Sequence, residues 1–143
     1  NSKKLWEEER GITWGNLFHT AISEVYSEKD IQPVIENLKR SGLLKQKDEK
    51  ILVDKIVEVI NRSDTKQLFE EGLIVKTETD ILLNDGTWLR PDRVVINGKN
   101  ATVIDFKTGK EKPEHQEQLS IYAEKLKVMG FNKVDKKLIY TDT

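Results

Sequence analysis

The sequence predicts an α/β domain built on a mixed β-sheet, and three observations carry that prediction. Apolar residues recur at helical spacing through the first half of the chain. Strand-like runs parted by hairpin signals follow, as in an antiparallel meander. A further helical stretch then separates the third run from a last strand. Together these describe a central sheet flanked by helices, with a helical N-terminal segment. The expected division is a helical segment over 1–71 and a sheet core over 72–143. The two would make one domain, since 143 residues can enclose a single sizeable core.

Each element has a local reason. In WGNLFHTAISEVY (14–26), Trp14, Leu17, Phe18, Ala21, Ile22, Val25 and Tyr26 fall at helical spacing, and Thr13 is suited to cap the helix. A second helix is predicted over 30–41, stopped by Ser41-Gly42. A third, over 46–61, turns Leu52, Ile56, Val59 and Ile60 inward, and a short helix follows near 65–71. The runs LIVKTETDILL (73–83), TWLRPDRVVI (87–96) and ATVIDFK (101–107) read as strands. Asn84-Asp85-Gly86 and Asn97-Gly98 between them read as hairpin turns. Pro113 opens a helix that runs to about Met129 and is closed by Gly130, and a final strand covers 134–141.

Composition narrows the function. Hydrophobic residues at 36% and charged residues at 34% make a polar but globular mixture. Without cysteine there is no disulfide framework and no Cys-based zinc site, which fits an intracellular protein; the expected location is cytoplasmic. No apolar run approaches the ~18–20 residues of a membrane span. With a formal net charge of −1, nucleic-acid binding would have to rest on a local patch, a metal ion or a fused partner. The chain opens at Asn1 and closes just after a strand-like KLIYT, which predicts a domain drawn from a longer polypeptide.

The run VIDFKTG (103–109) holds the puzzle. It has the character of a buried strand, yet Asp105 and Lys107 stand two apart and so share a face. The Asn97-Gly98 turn decides what meets them. Pairing Ile96 with Lys99 sets Asp92 opposite Val103 and diagonal to Asp105; pairing Ile96 with Ala101 sets Asp92 directly opposite Asp105. Either register leaves Asp92, Asp105 and Lys107 on one face, with the two carboxylates roughly 5–8 Å apart at Cβ. Adjacent like charges destabilise a sheet unless a cation sits between them, and carboxylate oxygens suit magnesium or manganese. Pro91 cannot donate to a ladder and marks an edge or a bulge beside this face. Glu78 faces Asp92 only if the Asn84-Asp85-Gly86 loop has three residues, so it is a conditional member of the site. For VIDFK alone, a surface ion pair is the simpler account; Pro91-Asp92 one short hairpin upstream shifts the balance to a metal site.

Polar residues at the rims of apolar helix stripes extend the set. His19 flanks Ile22 and Tyr26, with Gly15 one turn back where another backbone or a bulky ligand can approach. Imidazole suits a metal already held by carboxylates. Gln118 and Tyr122 stand four apart and share a face. Taken singly, these three residues are better explained by packing and solvent. Lys99, Lys110, Lys112 and Arg93 are near in sequence, and an ordinary solvated face explains them equally well.

GNLFH (15–19), RPD (90–92), IDFKTG (104–109) and QLSIY (118–122) follow in the order Gly-x-x-x-His, Pro-Asp, (D/E)-x-K, Gln-x-x-x-Tyr. Over residues 13–140 this resembles the RecB-like branch of the PD-(D/E)xK nuclease superfamily, and most of all the nuclease domain fused to UvrD/AddA-type helicases. The resemblance implies a restriction-endonuclease-like core and a deoxyribonuclease dependent on Mg2+ or Mn2+. It implies His19, Asp92, Asp105 and the Phe106 carbonyl as metal ligands. Lys107 would position the attacking water or stabilise charge on the phosphate, and Gln118 and Tyr122 would support the site or contact DNA. Asp105 stands where many relatives carry glutamate, and the shorter side chain changes how a second metal would be held. The implied setting is an exonuclease module of an ATP-dependent helicase–nuclease in recombination and repair. Its partners would be single-stranded DNA or duplex ends and the helicase, with no membrane. Two other readings stay open: a non-catalytic member that binds DNA or braces such a complex, and an interaction domain whose carboxylates hold a structural ion.

Overall fold

The computed structural model describes residues 14–77, 81–82, 88–108 and 110–141. They belong to two compact units that join in sequence between Glu71 and Gly72. Thr13, Glu78, the Asn84-Asp85-Gly86 turn and Gly109 lie outside the described residues.

The first unit is helical. Helices α1 (Trp14–Ser23), α2 (Ile31–Arg40) and α3 (Gln46–Ile60) pack on one another through the apolar stripes visible in the sequence. Leu17, Phe18, Ile35, Leu52 and Ile56 are buried within them. Lys39 of α2 reaches Glu49 of α3 at 2.6 Å. Helix α1 stops at Ser23 rather than at Tyr26. Its end tightens through bonds from the Glu24 and Val25 N–H groups to the Ala21 and Ile22 carbonyls, both 3.2 Å. The Asp30 carboxylate then accepts the Tyr26 and Ser27 N–H groups at 3.0 Å each, which diverts the chain into a 3-10 turn over Glu28–Asp30. The helix expected near 65–71 is likewise only a 3-10 turn, Lys66–Leu68. Thr65, fully buried, donates its hydroxyl to the Val59 carbonyl and ties that turn back to α3.

The second unit carries a four-stranded mixed sheet. In chain order its strands are β1 (Ile74–Thr77), β2 (Ile81–Leu82), β3 (Trp88–Leu89), β4 (Arg93–Asn97), β5 (Asn100–Thr108) and β6 (Lys133–Thr141). The main sheet runs β1-β4-β5-β6, antiparallel except for the parallel β5–β6 pair; β2 and β3 make a separate two-stranded ladder. The sequence had read 73–83 and 87–96 as two unbroken strands. The second breaks at Arg90-Pro91-Asp92, where proline removes a ladder donor; in the first, residues 78–80 lie outside those described. Helix α4 (Pro113–Val128), with proline in its first turn, crosses from β5 back to β6. It lays Leu119, Tyr122, Ala123 and Leu126 on the sheet face formed by Val94, Ala101 and Val103. Both faces of β5 are covered, so its near-continuous apolar character is that of an inner strand. The architecture is α/β with a restriction-endonuclease-like mixed sheet. No described helix is long and apolar enough to cross a membrane.

Candidate active site

The hairpin between β4 and β5 sets the geometry. Gly98 and Lys99 form its tip inside an Asn97–Asn100 pair, with Gly98 in the left-handed region at φ +61°. Ile96 therefore faces Ala101 and Arg93 faces Ile104, and one step further Asp92 comes directly opposite Asp105. The ladder stops there because Pro91 interrupts β4. A side chain takes over: Asp92 Oδ2 accepts the Phe106 N–H at 2.7 Å, and the Asp92 N–H donates to Asp105 Oδ1 at 3.2 Å. A residue's N–H and C=O leave a strand on the same edge, so the Phe106 carbonyl is aimed toward Asp92 as well.

Asp105 is only 4% exposed. Its Oδ2 lies 3.0 Å from Lys107 Nζ, and that ammonium also donates to Gln118 Oε1 at 3.1 Å. Burial lifts the Asp105 carboxyl from 3.8 to about 6, and the adjacent Asp92 charge adds to the rise against the pull of Lys107. Tyr122, one helical turn beyond Gln118, is buried under the same carboxylates. Burial first, then Asp105 and Asp92, push its phenol up to about 12, so it stays a neutral hydroxyl. A backbone hydrogen bond with Arg90 opposes that rise. The β4–β5 hairpin and α4 thus bring Asp92, Asp105, Phe106, Lys107, Gln118 and Tyr122 together.

His19 lies in the helical unit, half-buried on α1 with its ring edge-on to Phe18. Arg93 is fully buried and, as the residue after Asp92 on a strand, points to the opposite face, so it is no surface contact for a phosphate. Lys99 sits at the hairpin tip, six residues before Asp105 or about 20 Å away along the strand. Lys110 and Lys112 are exposed in the loop that follows β5. A pair that the sequence reading passed over, His115 and Tyr140, joins α4 to β6 beside Lys107. Its signal was available, since His115 precedes Gln118 by three residues and so shares its helix face.

Two opposed carboxylates, one nearly buried, fit a hard divalent cation, which would offset their repulsion. Among the described residues of this unit, no third His, Cys, Asp or Glu joins Asp92 and Asp105 in a metal-binding group. A model of the PD-(D/E)XK nuclease superfamily matches residues 4–142. The chain therefore belongs to the PD-(D/E)XK nuclease superfamily, whose members are generally metal-dependent nucleases. Among curated proteins none matches it.

Proposed function

We propose that this chain is a DNA-cleaving domain of the RecB-like branch, acting as an exonuclease module of an ATP-dependent helicase–nuclease in recombination and repair. The observation that carries the nuclease part is the register: Asp92 opposite Asp105, with Lys107 tied to Asp105 and Gln118. The branch and the helicase setting rest on the order GNLFH, RPD, IDFKTG, QLSIY.

Asp92, Asp105 and the Phe106 carbonyl would hold Mg2+ or Mn2+ in this reading. The bound cation supplies Lewis acidity toward the phosphate and lowers the pKa of water. Lys107 has three donors, and two are spent on Asp105 and Gln118. The third is directed at the attacking water or at a non-bridging phosphate oxygen, where developing charge makes a positioned donor most effective. Gln118 keeps the ammonium from swinging back onto the carboxylate alone. Tyr122 stays a neutral hydroxyl beneath the carboxylates and excludes water from beneath them.

The test is cleavage of linear single- and double-stranded DNA by the full-length protein with Mg2+, Mn2+ or EDTA. Cleavage should need the cation and should be lost in Lys107→Ala. Undiminished cleavage by Lys107→Ala would remove the role given to that lysine. No cleavage, with no cation bound by Asp92 and Asp105, would leave only a DNA-binding or bracing domain.

A further inference from the structure

His115 and Tyr140 stand at the rim of the site without a part in the chemistry above. His115 is in the first turn of α4, three residues before Gln118, so the two share a helix face. Tyr140 is the register partner of Lys107 in the parallel β5–β6 pair, and such partners share a sheet face. The His115 Nδ1 and the Tyr140 hydroxyl lie 2.9 Å apart. Lys107, Gln118, His115 and Tyr140 therefore form one polar row where β5 and β6 end, and each is only partly buried.

The row has the chemistry of an anion site. Among the described residues, His115 Nε2 has no partner. A tyrosine hydroxyl that donates to Nδ1 puts the ring proton on Nε2, and an imidazolium carries one there too. Nε2 is then a donor on the same polar row as the Lys107 ammonium. Pinning α4 to the sheet does not require this pair, because Leu119, Tyr122, Ala123 and Leu126 already do so.

We propose that His115, with its tautomer set by Tyr140, binds a phosphodiester next to the one that is cut, and so aligns the nucleic-acid strand along β5 and β6. This rests on the nuclease reading of Asp92, Asp105 and Lys107. His115 is the contacting residue and Tyr140 a positioning residue.

The experiment compares steady-state cleavage by full-length wild type, His115→Ala, His115→Gln, Tyr140→Phe and the His115→Ala/Tyr140→Phe pair. Binding of labelled DNA is measured in an Asp105→Asn background, which stops turnover. His115→Ala should raise KM and Kd about ten- to 100-fold, the worth of one hydrogen bond to a charged group, with kcat changed by less than about two-fold. His115→Gln, which returns a donor near Nε2, should recover most of that loss. Tyr140→Phe should raise KM by less, and the double variant should match His115→Ala, because the tyrosine acts through the histidine. An unchanged KM in His115→Ala, or a lower melting temperature in all variants without a KM effect, overturns the proposal and leaves the nuclease reading standing. A wild type that neither binds nor cuts DNA overturns both.

Discussion

Asp92 and Asp105 do more than face each other across two strands: each carboxylate also holds the other strand's backbone. Asp92 takes the Phe106 N–H at 2.7 Å, and Asp105 takes the Asp92 N–H at 3.2 Å. The pair that repels electrostatically is thus also what closes the ladder where Pro91 breaks it. Structural and catalytic effects of these residues can therefore be separated by the choice of substitution.

Asp92→Asn keeps an oxygen for the Phe106 N–H, whereas Asp92→Ala leaves that donor without an acceptor. The alanine variant should lose about 1–3 kcal/mol in urea denaturation, and the asparagine variant clearly less. Both should lose cleavage, since neither supplies the carboxylate charge.

For the metal-free protein, Asp105 predicts an unusual pH dependence. Its carboxyl is raised from 3.8 to about 6 in the fold. A raised acid stabilises the fold fully below its unfolded value, and that contribution is lost as pH rises through the folded value. In EDTA, the wild type should lose stability relative to Asp105→Asn between about pH 4 and 7, by on the order of 2–3 kcal/mol. Melting curves of both proteins across that range check it. A difference independent of pH would show that Asp105 is not held near neutrality.

A divalent cation should reverse that loss. At a concentration about 100 times its Kd, a ligand specific to the folded state adds about 2.7 kcal/mol. Mg2+ or Mn2+ should raise the melting temperature of the wild type and not that of an Asp92→Asn/Asp105→Asn variant, with EDTA cancelling the gain.

Gln118 holds Lys107 from the helix side while Asp105 holds it from the strand. Removing Gln118 should misplace the ammonium without discharging it. Gln118→Ala is expected to lower kcat about ten-fold with KM nearly constant, against a loss of about 100-fold or more for Lys107→Ala. Equal losses in the two variants would give Gln118 a direct role on the substrate.

The sequence made the sheet and its charged face legible because both depend on parity. A short hairpin after Ile96 leaves Asp92, Asp105 and Lys107 on one side in either register considered, and the structure takes the one that pairs Ile96 with Ala101. Parity also holds for Arg93, whose place beside Asp92 in the chain puts it on the other face. What was not legible depended on particular side chains. The end of α1 follows from Asp30 capturing two N–H groups, and the split of 87–96 follows from where Pro91 meets the ladder. Neither leaves a periodic trace. His19 is on a helix as expected, but its part in any metal site rests on the motif alone.

Pairing with β6 gives β5 a neighbour on its second side, and that has a bearing on solubility. The strand that carries VIDFK is long, apolar on both faces and, without β6, open along one edge. Cutting the chain between Gly130 and Lys133 would uncover a row of backbone donors and acceptors on such a strand, the template on which like strands stack into aggregates. The lysines of β6, Lys133, Lys136 and Lys137, are the kind of charge that keeps an outer edge from recruiting another chain. Strand β6 is thus a cover for β5, and shortened versions of this protein should fail first by precipitation.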